Sequence, residues 1–282
     1  MDLKITSEKI ANPLLVDLLK KLTGCFGRMN REFYVIGATA RDIIVQQLIG
    51  TTSGRKTRDL DIAIAIPDWS VFDEIKGVLV ANGFQKSRHK HQRFYYGDYE
   101  LDIVPYGVAK EDDYIYWPPE EEIAMSVKGF NEVLSEAITV NIDDEFDIKI
   151  ASLHGLFLLK FNAWLDRNLE TSKDAEDMSF ILSNYFMANL DRNVYSEVYD
   201  WKRFDEYIVG GYWLAHDLLL LLNKEQIAYY KECIEKELGK TDESRLINQM
   251  LEHSYGVTYE TVRDAWRTIA DVLQKAIDDE ES

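Results

Sequence analysis

Two aspartates one residue apart, Asp59 and Asp61, stand at the head of an apolar, β-branched run that ends at Ile66. Side chains in a β-strand alternate between its two faces, so both carboxylates are expected to project from the same side. Such neighbours repel each other unless a cation lies between them. Oxygen ligands suit Mg²⁺, which accepts one or two carboxylates and leaves room for phosphate oxygens. The pair therefore predicts metal-assisted phosphate chemistry.

A glycine turn precedes this strand in the sequence, at Gly37-Ala38-Thr39, between a predicted strand and a predicted helix. Glycine lets a ligand approach the backbone closely, and the N-terminus of the following helix offers free N–H groups and a positive dipole end to a phosphate. The alternative is a tight turn that binds nothing, which the turn alone does not exclude.

A third acidic position follows in the segment from Glu100 to Pro105, where acidic and apolar residues alternate. If this strand lies beside the first, Asp102 meets Asp59 and Asp61 over one site. Three carboxylates can hold two divalent ions, which activate an attacking hydroxyl and stabilise a leaving pyrophosphate. Glu100 is interpreted as a surface residue.

Together these residues resemble the signature of the DNA polymerase β nucleotidyltransferase superfamily, which has a Gly-Gly or Gly-Ser turn, an Asp-x-Asp strand and a third acidic strand. The tract from Val35 to Asp42 is also similar to the turn of CCA-adding tRNA nucleotidyltransferases. Ala38 stands where the superfamily usually has Gly or Ser, and the interval from Gly37 to Asp59 is longer than usual.

The resemblance implies an enzyme that moves a nucleoside monophosphate from a nucleoside triphosphate onto a hydroxyl acceptor and releases pyrophosphate. It implies Mg²⁺ as cofactor, as two ions, with Mn²⁺ as an alternative. The implied catalytic and metal-binding residues are Asp59, Asp61 and Asp102. The implied nucleotide-binding residues of the turn are Gly37, Ala38, Thr39 and Arg41.

A weaker resemblance extends toward the C-terminus, where Lys160, Arg167, Lys173-Asp174 and Asp177 are similar to a motif of the toxin-type nucleotidyltransferases of abortive-infection systems. It implies that Lys160 and Lys173 bind the triphosphate, and that a cognate antitoxin is a partner if the chain is of the toxin type. The alternatives are that Lys160 belongs to a packed amphipathic helix and that Lys173-Asp174 begins the next helix.

Hydrophobic periodicity predicts an α+β fold, with strands and helices in residues 1–147 and a helical domain in residues 148–282. The resemblance implies that residues 1–147 form a nucleotidyltransferase-like mixed sheet flanked by helices. Predicted helices are 7–30, 40–49, 70–82, 149–166, 174–187, 204–222, 224–237, 243–253 and 259–278. Predicted strands are 33–36, 60–66, 94–99, 100–104 and 137–142.

The apolar run after Asp61 predicts a central, buried strand that ends at Pro67, and the strands 94–99 and 100–104 are expected to be joined or paired around Gly97-Asp98. Residues 50–54 predict a loop, residues 118–122 predict a turn or loop, and Gly210-Gly211 suggests a kink in a helix.

The composition is strongly acidic, with 50 Asp and Glu against 32 Lys and Arg and a net charge of −18. This charge argues against broad, non-specific binding to nucleic acid. One basic segment, residues 86–93, is followed by aromatic residues and keeps a tRNA acceptor open, with a solvated hairpin as the alternative. The sequence shows no membrane-span-length apolar run and no signal-peptide layout, and its two cysteines fit a reduced, cytoplasmic protein.

The leading hypothesis is therefore a Mg²⁺-dependent nucleotidyltransferase that binds ATP or another nucleoside triphosphate. Its acceptor is a tRNA, a protein hydroxyl or a small molecule. One alternative is a catalytically inactive nucleotide-binding or regulatory protein on the same scaffold. A third interpretation is a Mg²⁺-dependent phosphohydrolase.

Overall fold

The structure is a computed structural model that describes residues 2–10, 12–51, 58–108, 113–118, 124–192, 195–252, 254 and 256–281. It divides into two compact units, Met1–Ser152 and Leu153–Ser282. The domain boundary predicted after residue 147 falls inside a strand, Phe146–Ile150. Most of the loop predicted at 50–54 and of the turn predicted at 118–122 lies outside the described residues.

The first unit combines β-strands with helices. Its described strands are β1 (Asp2–Ile5), β2 (Tyr34–Ile36), β3 (Asp59–Ala65), β4 (Gln85–Lys86), β5 (Arg93–Tyr96), β6 (Tyr99–Tyr106), β7 (Tyr114–Tyr116), β8 (Ala124–Ser126), β9 (Ile138–Ile142) and β10 (Phe146–Ile150). Its described helices are α1 (Pro13–Arg28), α2 (Gly37–Ile49), α3 (Trp69–Ala81) and α4 (Phe130–Ser135). The fold is mixed, as predicted.

Eight of these strands form one mixed sheet in the order β1-β9-β10-β2-β3-β6-β5-β4, and β7 and β8 form a separate pair. β3 runs parallel to β6 and antiparallel to β2, and β5 runs antiparallel to β6. β3 is an interior strand whose residues Leu60, Ile62 and Ala63 are fully buried, so the predicted central position of the Asp-x-Asp strand is confirmed.

The N-terminal helix begins later than predicted. The segment predicted as helix from residue 7 first makes a short 3-10 turn, Ser7–Lys9, and the Asn12 side chain then accepts a hydrogen bond from the Leu14 backbone N–H at 3.0 Å. Asn12 is therefore the N-cap of α1, with Pro13 in its first turn, where a missing N–H costs nothing.

The hairpin between β5 and β6 turns at Gly97-Asp98, the position that the sequence predicts. Tyr96 pairs with Tyr99, so the register along the hairpin places Arg93 directly opposite Asp102. A two-residue turn with Gly fixes such a register, because turn length determines which residues face each other.

The second unit is helical. Its described helices are α5 (Leu153–Arg167), α6 (Lys173–Ala188), α7 (Glu206–Leu218), α8 (Lys224–Leu238), α9 (Arg245–Leu251) and α10 (Tyr259–Glu281). Their core contains three tryptophans that are almost fully buried, Trp164, Trp213 and Trp266. Helical structure was predicted from residue 149, but residues 146–150 form β10, because they pair with both β9 and β2.

Helix α7 continues through Gly210-Gly211, where the sequence suggests a kink. A β-carbon at Gly210 would collide with the Leu182 carbonyl oxygen, and one at Gly211 would lie 3.2 Å from the Ala265 carbonyl oxygen. The two glycines therefore let α6 and α10 approach α7 closely. In the described part of the chain, no helix is both long and apolar enough to cross a membrane.

Candidate active site

The candidate site is a row of residues that crosses four neighbouring strands of the sheet. Ile36 of β2 pairs with Asp61, Asp61 pairs with Asp102 of β6, and Asp102 pairs with Arg93 of β5. Residues that pair directly lie on the same face, and neighbouring strands are about 4.8 Å apart. The sheet therefore holds two aspartates and an arginine side by side.

A second row lies next to the first, where Asp59 pairs with Glu100. The alternation of side chains along each strand places both residues on the face that carries Asp61 and Asp102. Asp59 is exposed, whereas Glu100, Asp61 and Asp102 are partly buried. Four carboxylates thus share one face at the start of β3 and β6, and the surface interpretation of Glu100 is incomplete.

Gly37 lies directly against the Asp61 carboxylate. Because β2 is antiparallel to β3 and Ile36 pairs with Asp61, the chain leaves β2 and enters α2 at the level of this aspartate. Gly37 has φ +68°, and a β-carbon there would collide with Asp61 Oδ2. A glycine is needed both for the left-handed backbone and for the space beside the carboxylate.

The other residues of the turn are placed differently. The Thr39 hydroxyl is buried and donates a hydrogen bond to the Asp59 carbonyl oxygen at 3.2 Å, which ties α2 to β3. Arg41 is 3% exposed, and its guanidinium pairs with the Asp42 carboxylate at 2.8 Å. Ala38 is partly exposed in the first turn of α2. The structure thus gathers Gly37, Thr39 and the aspartates, while the Arg41 side chain lies in the interior.

Arg93 binds Asp102 through both arms of its guanidinium. Nε lies 2.7 Å from Asp102 Oδ1 and Nη2 lies 2.6 Å from Oδ2, while Nη1 contacts Glu100. The hydrogen bonds to Asp102 raise the pKa of Arg93 above its already high ordinary value. The sequence pattern indicates Arg93 only as a member of the basic segment 86–93, not as the partner of Asp102. The two-residue hairpin turn is the sequence signal that identifies it as the partner of Asp102.

The donor set fits a magnesium ion in its chemistry, since it consists of carboxylate oxygens on one face and the Gly37 backbone leaves space beside Asp61. As they stand, however, no three His, Cys, Asp or Glu side chains among the described residues are grouped to hold a metal ion. Both Asp102 oxygens accept hydrogen bonds from Arg93. A cation shared by Asp61 and Asp102 would therefore compete with the guanidinium for the Asp102 oxygens.

The basic segment 86–93 divides into two parts. Lys86, Arg88, His89 and Lys90 are exposed, whereas Arg93 faces the carboxylates. Of the aromatic residues that follow, Phe94 is fully buried and so does not offer a surface for stacking a base. The predicted contact with tRNA through this segment therefore depends on its exposed, basic part.

In the helical unit, the residues of the toxin-type motif form one cluster of charges. Lys160 Nζ lies 2.7 Å from Asp177 Oδ2 and 3.2 Å from Asp174 Oδ1. Arg167 forks onto Asp174, with Nε 2.7 Å from Oδ2 and Nη2 2.9 Å from Oδ1. Lys173 is exposed in the first turn of α6.

Asp174 is the centre of this cluster and is completely buried. Burial alone would raise the pKa of its carboxyl, but Arg167 and Lys160 outweigh that effect and hold the pKa below its ordinary value. Asp174 therefore stays ionised and does more than begin a helix, since it joins α5 to α6.

Comparison with known proteins gives little. No protein-family model matches the chain, and no curated protein matches it. The solved structures that it resembles include a crystal structure of ANT(2″)-Ia in complex with adenylyl-2″-tobramycin, with 14% identity, a TM-score of 0.40, and coverage of 64% of this chain and 99% of that chain. A solution structure of the antibiotic-resistance factor ANT(2″)-Ia has 13% identity, a TM-score of 0.36, and coverage of 66% and 93%. At TM-scores this low, the argument for function rests on the residues of the site.

The contact between Gly37 and Asp61 predicts the effect of Gly37→Ala. The new β-carbon displaces the Asp61 carboxylate and also strains the backbone, which costs about 1–2 kcal/mol for a left-handed alanine. Gly50→Ala is the matched control, because Gly50 ends the same helix with φ +69° and has no neighbour within 4 Å of a new β-carbon. Urea unfolding should show a larger loss of stability for Gly37→Ala. Equal losses would contradict the contact.

The Asp174 cluster predicts a large effect of Asp174→Asn. Removal of the Asp174 charge leaves Arg167 without its carboxylate partner and leaves Lys160 paired with Asp177 alone of the two aspartates. We therefore expect the free energy of unfolding to fall by about 3 kcal/mol. The measurement is urea unfolding at pH 7, with Glu170→Gln as a control at an exposed carboxylate.

The same cluster predicts a pH dependence. The pKa of Asp174 is lowered in the folded state, so its contribution to stability is present above the unfolded-state pKa of about 3.9 and disappears as the pH falls through the lower folded-state pKa. The stability difference between the wild type and Asp174→Asn should therefore narrow below about pH 4. A difference that stays constant down to pH 2 would contradict the ionised, paired carboxylate.

Proposed function

We propose that this chain is a Mg²⁺-dependent nucleotidyltransferase of the DNA polymerase β type, which transfers a nucleoside monophosphate from a nucleoside triphosphate to a hydroxyl acceptor. The observation that carries the proposal is the cross-sheet row, in which Asp61 and Asp102 are direct neighbours on parallel strands and Gly37 lies against Asp61. The motif residues that the sequence spreads over 66 positions, from 37 to 102, thus meet at one place.

Each residue has a role in the proposed reaction. The acceptor oxygen forms a bond to the α-phosphorus, the bond from that phosphorus to pyrophosphate breaks, and the acceptor proton passes to Asp102. Asp59 and Asp61, with Asp102, would hold the metal, which supplies positive charge to the triphosphate and to the acceptor oxygen. The backbone N–H groups at the start of α2, after Gly37, would bind phosphate oxygens.

The acceptor is a hydroxyl on RNA, on a protein or on a small molecule. The net charge of −18 disfavours an extended nucleic-acid contact, and the exposed basic residues from Lys86 to Lys90 support a local one. In the helical unit, Lys173 is an exposed cation that is available to a phosphate, whereas Lys160 is held by two aspartates. The binding of the triphosphate by Lys160 and Lys173 stays a prediction of the toxin-type resemblance.

The test is transfer of label from each α-³²P nucleoside triphosphate to a cell extract that is separated into RNA, protein and small-molecule fractions. We expect labelling of one fraction in the presence of Mg²⁺, and a decrease of at least about 100-fold in Asp61→Asn, the scale of losing one electrostatic contact to a transition state. Asp73→Asn is the control, since it removes an exposed aspartate from α3 of the same unit.

Three results would contradict the proposal. Nucleotide binding without transfer to any fraction would favour the catalytically inactive protein. Release of free phosphate would favour a phosphohydrolase. Equal transfer by the wild type and Asp61→Asn would remove the aspartate row from the chemistry.

A further inference from the structure

Arg93 occupies the one carboxylate of the row that the proposed reaction needs for both metal binding and proton transfer. Its guanidinium approaches Asp102 as a two-pronged fork, at 2.7 and 2.6 Å, so that each carboxylate oxygen accepts one N–H. The Arg93 and Asp102 side chains are only 15% and 17% exposed. This is the pairing geometry in which an arginine binds a carboxylate most firmly.

The guanidinium has a second contact that remains if the first is broken. Its third nitrogen, Nη1, lies against Glu100, whose side chain is 41% exposed. Glu100 stands two residues before Asp102 on the same face of β6, so it can hold the arginine near the site while Asp102 is released. The Arg93 guanidinium can therefore stay bound to Glu100 while it turns away from Asp102.

We propose, on the basis of the proposed function, that Arg93 is an exchangeable counter-ion that couples metal binding to triphosphate binding. Without ligands it neutralises Asp102. When a divalent cation takes Asp102, the guanidinium turns about its contact with Glu100 and binds oxygens of the triphosphate. Phosphate oxygens suit the same two-pronged geometry that the carboxylate satisfies in the ligand-free state.

The exchange makes the two ligands mutually dependent. A divalent cation alone competes with Arg93 for Asp102 and offers the guanidinium no new anion. A triphosphate offers that anion, so it lowers the cost of releasing Asp102. Linkage requires that each ligand then raises the affinity for the other by the same factor, and couplings of this kind are about 5- to 150-fold.

The experiment measures Mn²⁺ binding by electron paramagnetic resonance, with and without inorganic tripolyphosphate as the probe for the triphosphate. In the wild type we expect tripolyphosphate to raise the protein's Mn²⁺ affinity by about 10-fold or more, after correction for Mn²⁺ bound by free tripolyphosphate. In Arg93→Met we expect Mn²⁺ alone to bind about 10-fold more tightly than in the wild type, and the enhancement by tripolyphosphate to be lost. Arg93→Lys should lie between them, because an ammonium cannot fork onto both oxygens.

The control is Arg28→Met, which removes the same charge from the exposed end of α1 in the same unit. It should leave both Mn²⁺ affinities as in the wild type, and circular dichroism establishes that each variant is folded. The wild-type comparison with and without tripolyphosphate needs no variant, so it tests the coupling even if Arg93→Met does not fold.

Two results would overturn the inference. If Arg93→Met and the wild type bind Mn²⁺ equally while Asp61→Asn abolishes binding, the metal site stands and the exchange does not. If neither Asp61→Asn nor Asp102→Asn changes Mn²⁺ binding, the metal site of the proposed function fails together with the exchange.

Discussion

The in-register pairing of β3 with β6 is the constraint on which the candidate site depends. Leu60 and Ile62 on β3, and Leu101 and Ile103 on β6, are completely buried, and the acidic residues lie between them along each strand. A slip of one residue would turn the apolar side chains to the carboxylate face and the aspartates into the core. The hydrophobic effect therefore fixes the register, and the register makes Asp61 and Asp102 neighbours.

Local patterns in the sequence predicted most of the elements that form this site. An apolar, β-branched run identified β3, and the alternation of acidic and apolar residues identified β6. The Gly97-Asp98 turn located the hairpin, and Pro67 marked the end of the central strand. The edge strand β1 was harder to predict. It pairs with β9, whose residues lie more than 130 positions later, and no local signal in the sequence specifies so distant a partner. The predicted helix 149–166 begins inside β10, because residues 146–150 become a strand only through pairing with β9 and β2.

The charged side chains show the same division between local and distant information. The spacing of Asp59, Asp61 and Asp102 predicted a shared face, but a list of acidic residues does not reveal which cation neutralises them. Arg93 belongs to a basic segment that resembles a solvated loop, so its residue type did not indicate a partner. Only the hairpin register shows that it lies opposite Asp102. In the helical unit, likewise, the partners of Asp174 follow from the packing of α5 against α6, which brings Lys160 and Arg167 to one buried carboxylate.

Arg93 has two physical tasks that place opposite demands on it. Asp102 is mostly buried, and an unpaired charge there would be costly, so the ligand-free protein needs a cation beside it. The proposed metal at the same carboxylate would compete with that cation. The contact with Glu100 reconciles the two demands, because it lets the guanidinium give up Asp102 without returning to water. A protein with a net charge of −18 thus keeps a positive group in the row that holds Asp61 and Asp102, where the proposed triphosphate would also need one.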